Sequence, residues 1–335
     1  MSLAASTAAF VTAAGVLTVA GVHLVRASDE IAERARLSRL VVGMLLVAGA
    51  TSLPELVTDV TAAVADSPDL AVGDLFGSSM ANMAILAIVD LLNRQRIWPS
   101  VEIGHARVAT VALALTALAT LSVLTPTGIA IGWVGVDTLA VASSYVAAVA
   151  WMRRSPTGRF GESEVLPVPT GWTRRERGGL RPAIVRFAVA SAVILVSAPV
   201  LAYSGRDIAV ASGMGETFVG TALLALSTSM PELVASIAAV RIGAQDLAVG
   251  NLFGSNAFNM AVLVFVDAAY TPGPLLAAVD PSEAVAGVGA ILLMALALAA
   301  LVHGTETRVR RLEPDAILLL AVYVGALYAV WTVRP

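Results

Sequence analysis

The sequence predicts an all-α integral membrane protein of ten transmembrane helices, arranged as two inverted five-helix repeats. Three observations support this fold class. Of the 335 residues, 58% are hydrophobic and 13% are charged, whereas soluble domains carry about 25% charged residues. Apolar stretches of about 20 residues, the length that crosses a bilayer, recur along the chain. A segment of the first half also recurs in the second half.

Ten stretches have the length and composition of a membrane span. They cover residues 4–25, 38–65, 69–92, 107–125, 128–152, 183–204, 214–240, 246–270, 283–303 and 313–333. Proline and glycine mark several of the intervening turns. The one long polar segment, 153–182, separates five predicted helices from the other five. We therefore expect a first repeat at 1–152, a basic cytoplasmic linker at 153–182 and a second repeat at 183–335.

The distribution of arginine predicts the orientation. All 21 basic residues are arginine, and 19 of them fall in connections on one side of the predicted helices. Only Arg206 and Arg334 fall on the other side. Basic loops remain in the cytoplasm, so we expect a multi-pass plasma-membrane protein with cytoplasmic arginine-rich loops and both termini extracellular.

The repeated segment indicates what the halves do together. Residues 51–90 and 228–267 are identical at 22 of 40 positions without a gap. The two copies lie five predicted helices apart, and because five is odd they run in opposite directions. Transporters with such inverted repeats bind their substrate near the middle of the membrane, at the repeat interface.

Each copy places a proline and a glutamate inside an apolar helix, as Pro54-Glu55 and Pro231-Glu232. Proline leaves a carbonyl without its helical partner, which lipid tolerates only where the backbone lines a cavity or binds something. A carboxylate at this depth is also costly. Thr51 adds a hydroxyl, as do Ser52, Thr228 and Ser229. These oxygens suit a hard cation, and two carboxylates balance one Ca²⁺ or two Na⁺.

A second motif follows each first one. Ser78 and Asn82 are four residues apart, so they share a helix face, and Ser255 and Asn259 repeat them. Asp74 lies on the same face as Ser78, and three roles stay open for it: a third acidic ligand, a proton-carrying group or a charge in a vestibule. Asp59, one turn after Glu55, is expected in an outer water-filled mouth.

These motifs resemble the α-repeats of the cation/Ca²⁺ exchanger superfamily, of the Na⁺/Ca²⁺ exchanger type, at about 42–92 and 219–269. The resemblance implies Ca²⁺ efflux driven by Na⁺ entry through alternating access. The ligands it implies are Thr51, Ser52, Glu55, Ser78, Asn82, Ala225, Thr228, Ser229, Glu232, Ser255 and Asn259, with Asp74 as a further candidate. Asn259 often corresponds to Asp in sodium-coupled members, and Asp74 replaces the first Asn of the motif.

Other functions remain possible from the sequence. The same fold could exchange Ca²⁺ or another cation for H⁺, because Glu55, Glu232 and Asp74 could each carry a proton when removed from water. A cation channel or a non-transporting scaffold is a further alternative. We find no cofactor loop or nucleophile–base pair, so neither an enzyme nor a cofactor is expected. The expected partners are the transported Ca²⁺ and Na⁺ and the lipid bilayer, without nucleic acid or an obligate protein partner.

Overall fold

Long apolar segments fold as helices here because a helix satisfies its own backbone hydrogen bonds where water is absent. The computed structural model describes residues 2–34, 51–93, 97, 101, 104–154, 180–241, 245–303 and 314–333. Within these residues, seven helices are long and apolar enough to cross a membrane, or eight if one bent pair is a single span. Large apolar side chains such as Val11, Val196 and Val324 are exposed, as expected for surfaces that face lipid.

The described residues form thirteen α-helices, one π-helical segment and one short hairpin. The elements are α1 Leu3–Arg34, α2 Leu53–Val64, α3 Pro68–Leu92, α4 His105–Leu124, β1 Ala130–Ile131, β2 Val134–Gly135, α5 Val136–Arg154, α6 Leu180–Ser212, α7 Glu216–Phe218, the π segment Val219–Leu224, α8 Ala225–Thr228, α9 Met230–Arg241, α10 Gln245–Ala269, α11 Leu275–Ala278, α12 Glu283–His303 and α13 Pro314–Val333.

Most predicted spans correspond to one of these helices, with changes at the ends. The helices α1 and α6 are longer than predicted, and α6 continues through Pro199. The first part of the predicted span 38–65 and most of the linker 153–182 lie outside the described residues. The short apolar helix within α5 falls below the length of a span.

The start of the predicted span 128–152 was wrong. Residues 130–135 form a two-stranded antiparallel hairpin, with Ala130 opposite Gly135, and the helix begins only at Val136. Gly128 and Gly132 have φ angles of +66° and +70°, a conformation that a right-handed helix cannot contain. The Asp267 carboxylate holds this hairpin in place by accepting a hydrogen bond from the Gly135 amide at 2.8 Å.

Helix α3 is the centre of the packing. It is buried along nearly its whole length and contacts α2, the π segment, α8, α9, α10, α12 and α13. Its glycines permit this density, because a Cβ on Gly77 would lie 2.4 Å from the Thr221 carbonyl oxygen. Helices α1 and α6 pack along each other at one side of this assembly. The repeated motifs therefore meet around α3.

Candidate functional site

All twelve residues predicted as cation ligands are buried, each at most 2% exposed. They lie on α2 and α3, on α8 and α9, on α10, and in the residues that flank α2 and α9. Polar groups removed from water require partners. The partners that each side chain has, and those it lacks, therefore define the site.

In the first copy, a break in the helix precedes the glutamate. Ser52 has φ −92° and ψ 7°, outside helical values, and Pro54 is the second residue of α2. Proline suits this first turn because the amide there has no helical acceptor in any case. Glu55 follows within the same turn and is 1% exposed. The carbonyl that Pro54 leaves without a helical partner belongs to the residue four positions earlier, which lies outside the described residues.

In the second copy, the helix passes through a π-helical turn and then bends. The π segment ends at Leu224, Ser229 separates α8 from α9, and the axis bends by 44°. Single π turns inside helices are frequent at functional sites. The Ala225 carbonyl accepts a hydrogen bond from the Ser229 amide at 3.1 Å. Ala225, which the resemblance implies as a ligand, is buried just before this bend and stays a prediction.

The two glutamates face a common region. Glu55 and Glu232 are near enough to repel each other electrostatically, and Asp74 adds to this repulsion. Thr51 lies against the Glu232 carboxylate, but no donor in the described residues forms a well-aligned hydrogen bond with either Glu232 oxygen. The ion pairs of the described residues join other groups. The site therefore has a surplus of negative charge.

Asp74 connects the two copies. Its Oδ1 accepts a hydrogen bond from the Thr228 hydroxyl at 3.1 Å, and the Ser78 hydroxyl lies 3.5 Å away, at the limit of such a bond. The hydroxyl oxygens of Ser78 and Thr228 are 3.4 Å apart. Asp74 is fully buried, so its carboxylate does not face a solvated vestibule.

Asp59 was placed wrongly by the sequence reasoning. It is fully buried and not in an outer mouth. No hydroxyl or amide of the described residues donates to its oxygens, and the Asp74 carboxyl group is positioned to share a hydrogen bond with it. Its position one turn after Glu55 was the available signal, because residues four apart share a helix face.

A pair of asparagines joins α3 to α10. The Asn82 amide donates to the Asn256 Oδ1 at 2.8 Å, and the Asn256 amide donates to the Ser79 carbonyl at 3.2 Å. The Asn82 carbonyl oxygen has no donor among the described residues. Asn256 was not predicted, because the first copy has serine at the equivalent position 79.

Four predicted residues show burial and an unpaired side-chain polar atom, and their side chains form no hydrogen bond to the other site residues. They are Ser52, Ser229, Ser255 and Asn259. Within the described residues, no three histidine or acidic side chains form a metal-binding group. A cation here would therefore depend on the glutamates together with hydroxyl, amide, carbonyl and water oxygens, which are ligands that Ca²⁺ accepts.

Comparison with known sequences identifies the family. The sequence profile described as "Sodium/calcium exchanger protein" matches residues 5–152 and 182–332. The chain belongs to this family. Its members are membrane cation/Ca²⁺ exchangers. Buried carboxylates are consistent with a protein that binds cations inside the membrane.

Individual relatives agree with this assignment. A protein of Alkalimonas amylolytica that is named as an antiporter, CaxA, is 28% identical over 319 residues, covering 92% of this chain and 93% of its own. The solved sodium-calcium exchanger NCX_Mj has a similar fold, with a TM-score of 0.62 at 20% identity over 100% of both chains. The solved H⁺/Ca²⁺ exchanger CAX matches with a TM-score of 0.70 at 15% identity, over 98% of this chain and 85% of its own.

Proposed function

We propose that this chain is an antiporter that exchanges Na⁺ for Ca²⁺ by alternating access at the site between the two motif copies. The observation that carries the proposal is the pair Glu55 and Glu232, buried at equivalent positions of the repeated motif. Buried carboxylates without a cationic partner are unstable as anions. A cation that binds between them would remove this penalty, and one Ca²⁺ or two Na⁺ would carry the same charge.

Exchange follows from competition at the shared glutamates. Ca²⁺ and Na⁺ cannot both neutralise Glu55 and Glu232, so one leaves when the other binds. An empty site keeps two negative charges, and moving these through the apolar interior is unfavourable. The transporter therefore changes its access only when loaded, which couples the two ions. The family match and the exchangers with a similar fold support this proposal.

The proposed architecture is ten helices in two inverted repeats, residues 1–152 and 183–335, joined by the linker 153–182. The proposed ligands are Thr51, Ser52, Glu55, Ser78, Asn82, Asp74, Ala225, Thr228, Ser229, Glu232, Ser255 and Asn259. The arginine distribution supports cytoplasmic basic loops. Because the chain has no cysteine, single cysteines test this directly. An impermeant maleimide applied to intact cells should label Thr125→Cys and leave Ser155→Cys unlabelled.

A second candidate is exchange of Ca²⁺ for H⁺, and Asp59 beside Asp74 is the observation that favours it. A hydrogen bond between two carboxyl groups requires one proton. With four buried carboxyl groups near one another, Ca²⁺ would neutralise only two charges, and protons could neutralise the rest. The similar fold of the H⁺/Ca²⁺ exchanger CAX is compatible with this candidate.

The site is tested by substitution in proteoliposomes. Glu55→Gln and Glu232→Gln should each abolish ⁴⁵Ca²⁺ uptake, because each removes one of the two shared charges while keeping the side-chain shape. Asp137→Asn is the matched control, since the Asp137 carboxylate binds Thr127 in a connection outside the site. Uptake that survives in either glutamine variant at the rate of the control would contradict the proposal.

A further inference from the structure

A second buried carboxylate without a partner lies outside the site described above. Glu283 is the first residue of α12 and is fully buried. Neither of its carboxylate oxygens accepts a hydrogen bond from a described residue. A capping role would require Glu283 to accept a backbone amide hydrogen bond, so capping does not explain its burial.

The surroundings of Glu283 supply further oxygen atoms. The Thr217 hydroxyl faces the Glu283 carboxylate, and Thr217 is itself fully buried with no well-aligned partner among the described residues. The Glu283 Oε1 and the Thr217 carbonyl oxygen lie 3.3 Å and 3.0 Å from the place where a Cβ on Gly73 would stand. Two oxygens from different helices therefore border the gap that this glycine leaves in α3.

The charge at this end of the bundle is negative. Asp69, Asp280 and Glu216 each repel Glu283 electrostatically. Arg206 forms an ion pair with Glu216, with its Nε 3.7 Å from the Glu216 Oε1. The Asp69 carboxylate accepts a hydrogen bond from the Asp280 amide at 2.6 Å. Acidic groups grouped in this way raise the local concentration of cations. This end carries the connections that the arginine distribution assigns to the extracellular side.

Polar groups along α3 connect the surroundings of Glu283 with the central site. Gly73 and Gly77 are one turn apart on α3, about 6 Å along the helix axis. A Cβ on Gly77 would touch Thr221, and Ser78 follows directly with its contact to Thr228. Thr221 is also buried without a hydroxyl partner among the described residues. Polar groups therefore continue from Glu283 to the central carboxylates along the contact between α3 and the bent helix.

We propose that Glu283 and Thr217 form a second binding site for Ca²⁺ beside Gly73, where the ion is held before it enters the exchange site. The proposal rests on the proposed function. Described carboxylates alone do not complete a metal-binding group here. Thr217 oxygens and water would therefore supply the remaining ligands, which makes the site weak enough to release its ion.

Equilibrium binding tests the site without requiring transport. In lipid nanodiscs, the double variant Glu55→Gln/Glu232→Gln should still bind ⁴⁵Ca²⁺ at one remaining site. Adding Glu283→Gln should remove that binding, whereas adding Asp137→Asn should leave it unchanged. The proposal is wrong if the double variant binds no Ca²⁺, or if its remaining binding survives Glu283→Gln.

Transport kinetics provide the second readout. Glu283→Gln alone should raise the KM for external Ca²⁺ roughly tenfold, the effect of losing one charged contact, with an unchanged maximal rate. Thr217→Val removes only a hydroxyl and should raise KM in the same direction, so it serves where Glu283→Gln does not fold. An unchanged KM in a folded variant would overturn the proposal that Ca²⁺ is held at Glu283 before it enters the exchange site. A chain that binds Ca²⁺ at Glu283 but shows no exchange contradicts the proposed function instead.

Discussion

Gly77→Ala tests the close contact that brings the two motif copies together. The added Cβ would lie 2.4 Å from the Thr221 carbonyl oxygen, 2.5 Å from its Cα and 2.8 Å from the Ala225 Cβ. These neighbours are backbone or rigid atoms, so α3 and the π segment must separate by about 1 Å to restore ordinary contact distances. Overpacking of this kind costs about 1–3 kcal/mol. The same movement would pull Ser78 away from Thr228.

The equivalent glycine of the second copy provides the matched control. A Cβ on Gly254 would meet nothing within 4 Å, and alanine in a helix is favoured over glycine by up to about 1 kcal/mol. Gly254→Ala should therefore leave the thermal stability in detergent equal or higher. Gly77→Ala should lower it and also reduce ⁴⁵Ca²⁺ uptake. Equal behaviour of the two variants, in stability and in uptake, would refute the close-contact reasoning.

Three further changes have distinct expected results. Asp59→Asn should abolish any ⁴⁵Ca²⁺ uptake driven by an acidic vesicle interior, because it removes half of the Asp59–Asp74 carboxyl pair. Asp267→Ala should lower the free energy of unfolding by about 2–4 kcal/mol, since the Gly135 and Leu275 amides both lose their acceptor. Asn256→Ala should weaken the apparent Ca²⁺ affinity about fivefold, the equivalent of ~1 kcal/mol for one orienting hydrogen bond, because the Asn82 amide would turn freely.

Each of these three changes has a control or a contradicting result. For Asp59→Asn, a pH-driven uptake equal to that of Asp137→Asn would exclude a role for the carboxyl pair. For Asp267→Ala, an unchanged melting temperature in detergent would contradict the importance of its hydrogen bonds to the two amides. For Asn256→Ala, the control is Asp137→Asn outside the site, and equal Ca²⁺ titration curves for the two variants would argue against the bridge.

The sequence predicted the parts of this protein that depend on local composition. The length of the apolar stretches predicted the helices. The repeated proline and glutamate predicted a polar site inside the membrane, and the structure has buried, unpaired polar atoms there. The hairpin at 130–135 was missed because its residues are as apolar as a span, and only the φ angles of Gly128 and Gly132 exclude a helix. Length and hydropathy do not contain that information.

Tertiary contacts account for the remaining differences. In the π segment 219–224, Gly220 packs so closely against α3 that a Cβ would lie 2.6 Å from the Leu70 carbonyl oxygen, and local sequence propensity predicts neither feature. Asn256 gains its role from a partner 174 residues away. The prediction that Asp59 faces a water-filled mouth was wrong. Helical spacing shows which face of the helix a residue occupies, but not how far water reaches along that face.

The most direct test of Na⁺-driven Ca²⁺ exchange is ⁴⁵Ca²⁺ uptake into proteoliposomes loaded with Na⁺, K⁺ or choline, with the same pH inside and outside. We expect uptake only in vesicles loaded with Na⁺, and none in Glu55→Gln or Glu232→Gln. Uptake that is equal in all three internal solutions and appears only with an imposed pH gradient would contradict Na⁺ coupling. It would support the H⁺-coupled candidate instead.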